Sequence, residues 1–178
     1  MSKKSRTMYL AESAVIAALY AVLSYLSAGL NLAFGAVQFR LSEALCVLPL
    51  FTPSAVPGLA VGCFISNLVS PLGIIDWVFG TLATLLAALC TRKLRDITLF
   101  SIPFFSVLMP VIFNGFIVGF ELACLNEAGA FNFGFFNTAL YLSSGLSVAF
   151  GETVVLAVLG IPLILLLKKS KLFGKFHK

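Results

Sequence analysis

Gly35-Ala-Val-Gln-Phe-Arg-Leu-Ser-Glu-Ala-Leu45 decides how this chain is read. It sets Arg40 and Glu43 inside a run that is otherwise largely apolar as far as Phe51. Charges three residues apart share a helix face. In so hydrophobic a chain that face lies within a bilayer, where an ionisable residue is costly and marks a functional site by default. The remaining segments are expected to build a membrane pocket around this helix.

The 178 residues are 60% hydrophobic and 11% charged, with a mean hydropathy of +1.07. A soluble domain carries about a quarter charged residues, so the composition is that of an all-α integral membrane protein. Spans need roughly 17–25 apolar residues each. Six helices with short loops nearly exhaust the chain, and residues 1–178 read as a single transmembrane domain. The net charge of +5 comes from clusters at Lys3, Lys4 and Arg6, at Arg92, Lys93 and Arg95, and at Lys168, Lys169, Lys171, Lys175 and Lys178. These flank spans and set orientation; they do not read as a nucleic-acid surface. Cys46, Cys63, Cys90 and Cys124 are widely spaced, without a C-x-x-C pair, and His177 is the single histidine. No disulfide framework or metal site is expected.

The first span is expected at about Met8–Ala28, too long for a signal-peptide core. Its Ala11, Ala14, Ala17, Ala18 and Ala21 recur at spacings of three and four, a smooth stripe for close helix approach or for ordinary bundle packing. The opening stretch forms the second helix, to about Phe51. A turn with two prolines precedes the third, Gly58 to about Ser70, which contains a Gly58-x-x-x-Gly62 contact site. The fourth covers about Ile74–Cys90 and the fifth about Ile97–Phe120, bent by Pro103 and Pro110. The sixth runs from about Tyr141 to Leu167. Six spans bring the N-terminus, the 92–95 loop and the C-terminus, all basic, to one cytoplasmic side. The Phe-containing loop Glu121–Asn137, whose charges are Glu121 and Glu127, falls on the other.

On this topology the polar residues converge. Glu43 and Glu152 are placed near mid-membrane, Asn67 and Asp76 about one turn below the outer surface, and Asn114 between, at about 1.5 Å per residue. The sixth helix is apolar from Val154 to Leu167. The expectation is an outward-opening bowl, floored by Glu43 and Glu152 and sealed below by hydrocarbon. Its balance is acidic, because Glu43, Asp76 and Glu152 face Arg40 alone, and such a pocket favours a cationic or N–H-rich ligand. Structural alternatives stand beside each assignment. Arg40 and Glu43 have the alternative of an ion pair holding helices together, Asp76 of a helix cap, and Asn67 and Asn114 of interhelical hydrogen bonds, while Trp77 reads as an interface anchor and Glu121 as an interfacial charge. No G-x-x-x-x-G-K-[ST] motif is present, so the chain does not spend ATP alone. A Ser–His nucleophile is impossible without a histidine in the bundle. A binding bowl without an engine implies that the engine is another subunit.

Three segments carry a family resemblance: Val37-Gln-Phe-Arg-Leu-Ser-Glu-Ala-Leu45, Pro57-Gly-Leu-Ala-Val-Gly-Cys63 leading to Asn67, and Asp76-Trp-Val-Phe-Gly-Thr-Leu-Ala-Thr84. With them the chain resembles the QueT family, the substrate-binding S components of energy-coupling factor (ECF) transporters for queuosine precursors. That resemblance implies the six-helix S-component fold in a bacterial plasma membrane and no catalytic activity or cofactor of its own. It implies docking through small residues of the first helix, matched by Ala14-x-x-x-Ala18 and Ala17-x-x-x-Ala21, onto a transmembrane coupling subunit bearing two ATPases. The implied ligand is a 7-deazaguanine such as the 7-aminomethyl base, with Arg40, Glu43, Asn67, Asp76, Asn114 and Glu152 as candidate contacts. Competing readings are an S component for thiamine or riboflavin, a small self-associating channel or exporter, and, least supported, a membrane enzyme.

Overall fold

A computed structural model describes residues 3–33, 37–98, 103–126 and 129–170. The loop residue Gly35, the charge Glu127, and His177 with the terminal Lys171, Lys175 and Lys178 lie outside the described residues. Every regular element described is helical, apart from an isolated bridge between Leu125 and Phe131. The order is α1 (Lys3–Gly29), a 3₁₀ helix (Leu41–Leu50), α2 (Ala55–Asn67), α3 (Ile74–Lys93), α4 (Phe104–Ala123), α5 (Thr138–Val155), a π turn (Leu156–Gly160) and α6 (Ile161–Lys169).

Four rods are long and apolar enough to cross a membrane: Ser5–Gly29, Ile74–Lys93, Phe104–Ala123 and the continuous Thr138–Lys169. The second and third expected spans are shorter. Ten residues of 3₁₀ helix and the 13 of α2 each reach about 20 Å, against a hydrocarbon core of about 30 Å. The opening stretch is therefore not an α-helix on the surface of a bundle. It is a 3₁₀ rod at the centre, touching α1 to α6 and the π turn. Pro49 lies inside it and removes a donor. Three residues per turn bring side chains at i and i+3 into line, which stacks Glu43, Cys46 and Pro49 along one edge.

Between apolar helices in lipid, close packing and interhelical hydrogen bonds replace the hydrophobic effect. A Cβ on Gly58 would meet the Ser13 carbonyl oxygen at 2.8 Å; one on Gly62 would meet the Tyr20 Cβ at 2.7 Å. Gly119 and Gly145 likewise bring α4 onto α5, since a Cβ on Gly119 would stand 2.7 Å from the Gly145 Cα. Main-chain carbonyls receive the tying bonds: Ser13 Oγ donates to Ser54, Tyr25 Oη to Ile65, Thr91 Oγ1 to Ser106 and Arg92 Nη1 to Pro49. Arg92, read from sequence as an orientation charge, thus also closes the far end of the 3₁₀ rod. Glu12 accepts from Thr52 and Ser54, fastening α1 to the same turn.

Helix ends explain the remaining shifts from expectation. α1 closes with Asn31 in the left-handed region at φ 56°. Leu32 N–H donates to the Ser27 carbonyl and Asn31 N–H to that of Ala28, the paired bonds of a Schellman ending. α4 starts at Phe104, not at Ile97, because Pro103 precedes the helix; only Pro110 sits within it. The last rod widens into a π turn just before Pro162, whose ring and missing N–H an undisturbed α-helix would not accommodate.

Gly62→Val is expected to lower thermal stability in detergent by about 1–3 kcal/mol, since the side chain enters the α1–α2 contact. Gly29→Ala, where nothing lies within 4 Å of a new Cβ, is the matched control and should not lower it. Equal melting of both variants would show that the glycine contact does not hold α1.

Candidate functional site

Arg40 ends the extended segment that enters the 3₁₀ rod, with φ −96° and ψ 106°. Two bonds hold its neighbourhood to the end of α1: Leu41 N–H donates to Ser27 Oγ at 2.9 Å, and Phe39 N–H to the Leu32 carbonyl at 2.9 Å. Its guanidinium borders two small cavities. One is lined by Ser24, Tyr25, Ser66 and Asn67, among others; the other by Gln38, Asn114, Val118, Val148 and Glu152. Each has room for about one water. Among the described residues, the cavities that Arg40 lines are smaller than the bowl that the sequence suggested.

Four carboxylates share that cation's field. Arg40 interacts electrostatically with Asp76 and Glu43, and its charge is also felt at Glu121 and Glu152. All four acids are buried, and Glu121 is completely inaccessible. Taking ions out of water costs several kcal/mol each unless partners compensate, so the partners of each acid are informative.

Glu43 is satisfied within the fold. Tyr20 Oη donates to Oε1, and Cys46 Sγ, one 3₁₀ turn on, donates to Oε2 at 3.0 Å. Arg40 makes no direct ion pair with it among the described residues, so the expected Arg40–Glu43 pair is a long-range one. Glu152 is half satisfied: Asn114 Nδ2 donates to Oε1, while Oε2 has no partner. Gly151 beside it allows the Gln38 carbonyl to approach where no Cβ would fit. Asp76 does not cap α3. Gly73 is the residue preceding that helix, and Asp76 Oδ1 has no partner. Asn67 Nδ2 donates to the main-chain carbonyl of Asp76 at 3.0 Å, and Gly80 leaves space for that amide.

Glu121 is the residue that the sequence reading missed. Neither of its carboxylate oxygens has a hydrogen-bond partner. A fifth helix expected to stop at Phe120 left it outside, but α4 continues to Ala123. The legible signal was its spacing: Asn114, Val118 and Glu121 fall on one helical face. The neighbouring phenylalanines form a connected aromatic cluster. Phe79 contacts Phe131 and Phe120, Phe120 contacts Phe133 and Phe136, and Phe136 contacts Tyr141, with centroids 5.6–6.3 Å apart. Trp77 packs edge-on against Phe64 at 6.2 Å, and its Nε1 is unpartnered.

The alanine stripe divides between two faces. Ala17 and Ala21 are buried inside the chain, Ala17 against Gly62 of α2. Ala14 and Ala18 remain exposed beside Val15, Leu19 and Val22. No group of three or more potential metal ligands occurs among the described residues.

A chain with four apolar rods long enough to cross a membrane, and with four buried acids between its helices, has the build of a multi-pass membrane protein. The family model for the QueT transporter matches residues 10–169, and the chain belongs to that family. Being a transporter family, it is not one of enzymes. The queuosine precursor transporter QueT of Lactococcus lactis subsp. cremoris is 37% identical over 84 residues, which cover 47% of this chain and 48% of that protein. The aligned region thus spans about half the length of that relative. No solved structure matches the chain.

Tyr20→Phe removes one donor from a buried carboxylate and is expected to cost about 1–3 kcal/mol of stability. Thermal unfolding in detergent checks it; an unchanged midpoint would mean that Glu43 does not depend on Tyr20.

Proposed function

We propose that this chain is the ligand-capturing membrane subunit of an energy-coupling factor importer for a queuosine precursor, a 7-deazaguanine bearing a charged aminomethyl group. The observation that carries this reading is the imbalance at the site: four buried carboxylates to one guanidinium, with acceptors at Asp76, Glu121 and Glu152 unpartnered. A planar base rich in N–H donors and carrying an ammonium supplies what they lack, and charge-assisted bonds in a desolvated site are the strong ones. The name of the Lactococcus relative points the same way.

In this reading the Glu152–Asn114 pair meets one donor edge of the base, Asn67 and Arg40 line its approach, and Glu43 acts as scaffold. Six crossings, two of them made by short helices, put both termini in the cytoplasm. The basic residues support that assignment: Arg92 and Lys93 end α3, and Lys168 and Lys169 end α6. The latter rod packs its Leu163 and Leu167 against the Phe51 end of the 3₁₀ rod, the end that Arg92 closes. The chain has no nucleotide-binding motif, so a coupling subunit and its two ATPases drive transport. The exposed Ala14 and Ala18 of α1 are the contact through which they act.

Titration of the purified chain with 7-aminomethyl-7-deazaguanine, thiamine and riboflavin tests the ligand. Sub-micromolar binding of the first is expected; binding of a vitamin with none of the deazaguanine overturns the assignment. Glu152→Gln should weaken ligand binding about tenfold or more while the protein still folds. Ala14→Trp and Ala18→Trp should leave binding intact and abolish ATP-dependent uptake in a reconstituted complex. Uptake that survives both substitutions removes α1 as the docking face.

A further inference from the structure

Glu121 is buried at a position that its own helix disfavours. It occupies the last turn of α4, where the helix dipole presents negative charge and an acid is destabilising. It has no hydrogen-bond partner on either oxygen. Its electrostatic neighbours are Asp76, which repels it, and Arg40, which Glu43 and Glu152 also share. Asp76, in the first turn of α3, adds a second open acceptor, Oδ1. The Thr91–Ser106 bond and the Phe79–Phe120 contact set α3 antiparallel on α4 with Asp76 level with Glu121, so two carboxylates from different helices stand together and share Arg40 with Glu43 and Glu152.

The ladder on α4 gives this pair a direction. Asn114, which holds Glu152, and Glu121 are seven residues apart on one face, about 10 Å along the axis. A fused bicyclic base with a short arm, hydrogen-bonded at both ends, reaches from one to the other.

We propose that Glu121 and Asp76 form a cation-recognising end of the ligand site, distinct from the Glu152–Asn114 end, and that they select a ligand with a positively charged arm over its neutral counterpart. This rests on the deazaguanine reading above and adds to it a specificity residue. Glu152 with Asn114 reads the base, whichever arm it carries. Glu121 with Asp76 reads the arm.

The test uses the full chain in lipid nanodiscs and two probes, 7-aminomethyl-7-deazaguanine and its uncharged 7-cyano analogue. The wild type is expected to favour the amine by about tenfold or more. Glu121→Gln should remove that preference, weakening the amine about tenfold while leaving the nitrile within about twofold. Asp76→Asn should act in the same direction, and it keeps the Asn67 bond, which uses the main-chain carbonyl. Glu152→Gln should weaken both probes. If both probes bind the wild type and neither Glu121→Gln nor Asp76→Asn changes their ratio, the arm-recognition inference falls while the deazaguanine reading stands. If neither probe binds, the reading itself is overturned, and the inference with it.

Discussion

The interior of this fold is organised around one half-buried guanidinium. Arg40 enters the 3₁₀ rod beside residues of α1, α2, α4 and α5, and four buried carboxylates share its field. A charge in that position is tolerable only if the surroundings are fixed. The sequence around it is accordingly spent on fixing it. Ser27 and Leu32 hold the segment that delivers Arg40, and Tyr20 and Cys46 neutralise the demands of Glu43. Gly151 admits the Gln38 backbone. Open acceptors remain on Asp76, Glu121 and Glu152.

The scaffold reaches that result with little polar material. Glycines and alanines let helices touch backbone to backbone, and single side-chain donors tie each contact. The price is an unusual central element: a ten-residue 3₁₀ helix, well beyond the common length. It is stabilised by burial on all sides and by Arg92 at its far end. Its eclipsed geometry then does chemical work, because it sets Cys46 directly beside Glu43.

The helical class, the membrane character and the family were legible in the sequence. Composition and charge spacing are one-dimensional properties, and they survive folding. What could not be read were features that depend on a partner elsewhere in the chain. The rod around Glu43 looked like an ordinary α-helix, since a run of apolar residues carries no mark of its hydrogen-bond register. Ala17 and Ala21 looked equivalent to Ala14 and Ala18; only the position of Gly62 separates them. Glu121 was set aside because the end of α4 was placed three residues early, and an acid beyond a helix end reads as solvated.

The interhelical ties have a further consequence for how this sequence encodes its fold. In the bonds from Ser13, Tyr25, Asn67, Thr91 and Arg92 the acceptor is a main-chain carbonyl. Each tie is therefore written at one end only: the donor's identity matters and the acceptor's side chain does not. At Asp76 this separates two inheritances carried by one residue. Its backbone belongs to the architecture and would be supplied by any amino acid in that place, whereas its carboxylate takes no part in the tie. A substitution there can thus change the charge of the interior without rewriting the frame that holds it.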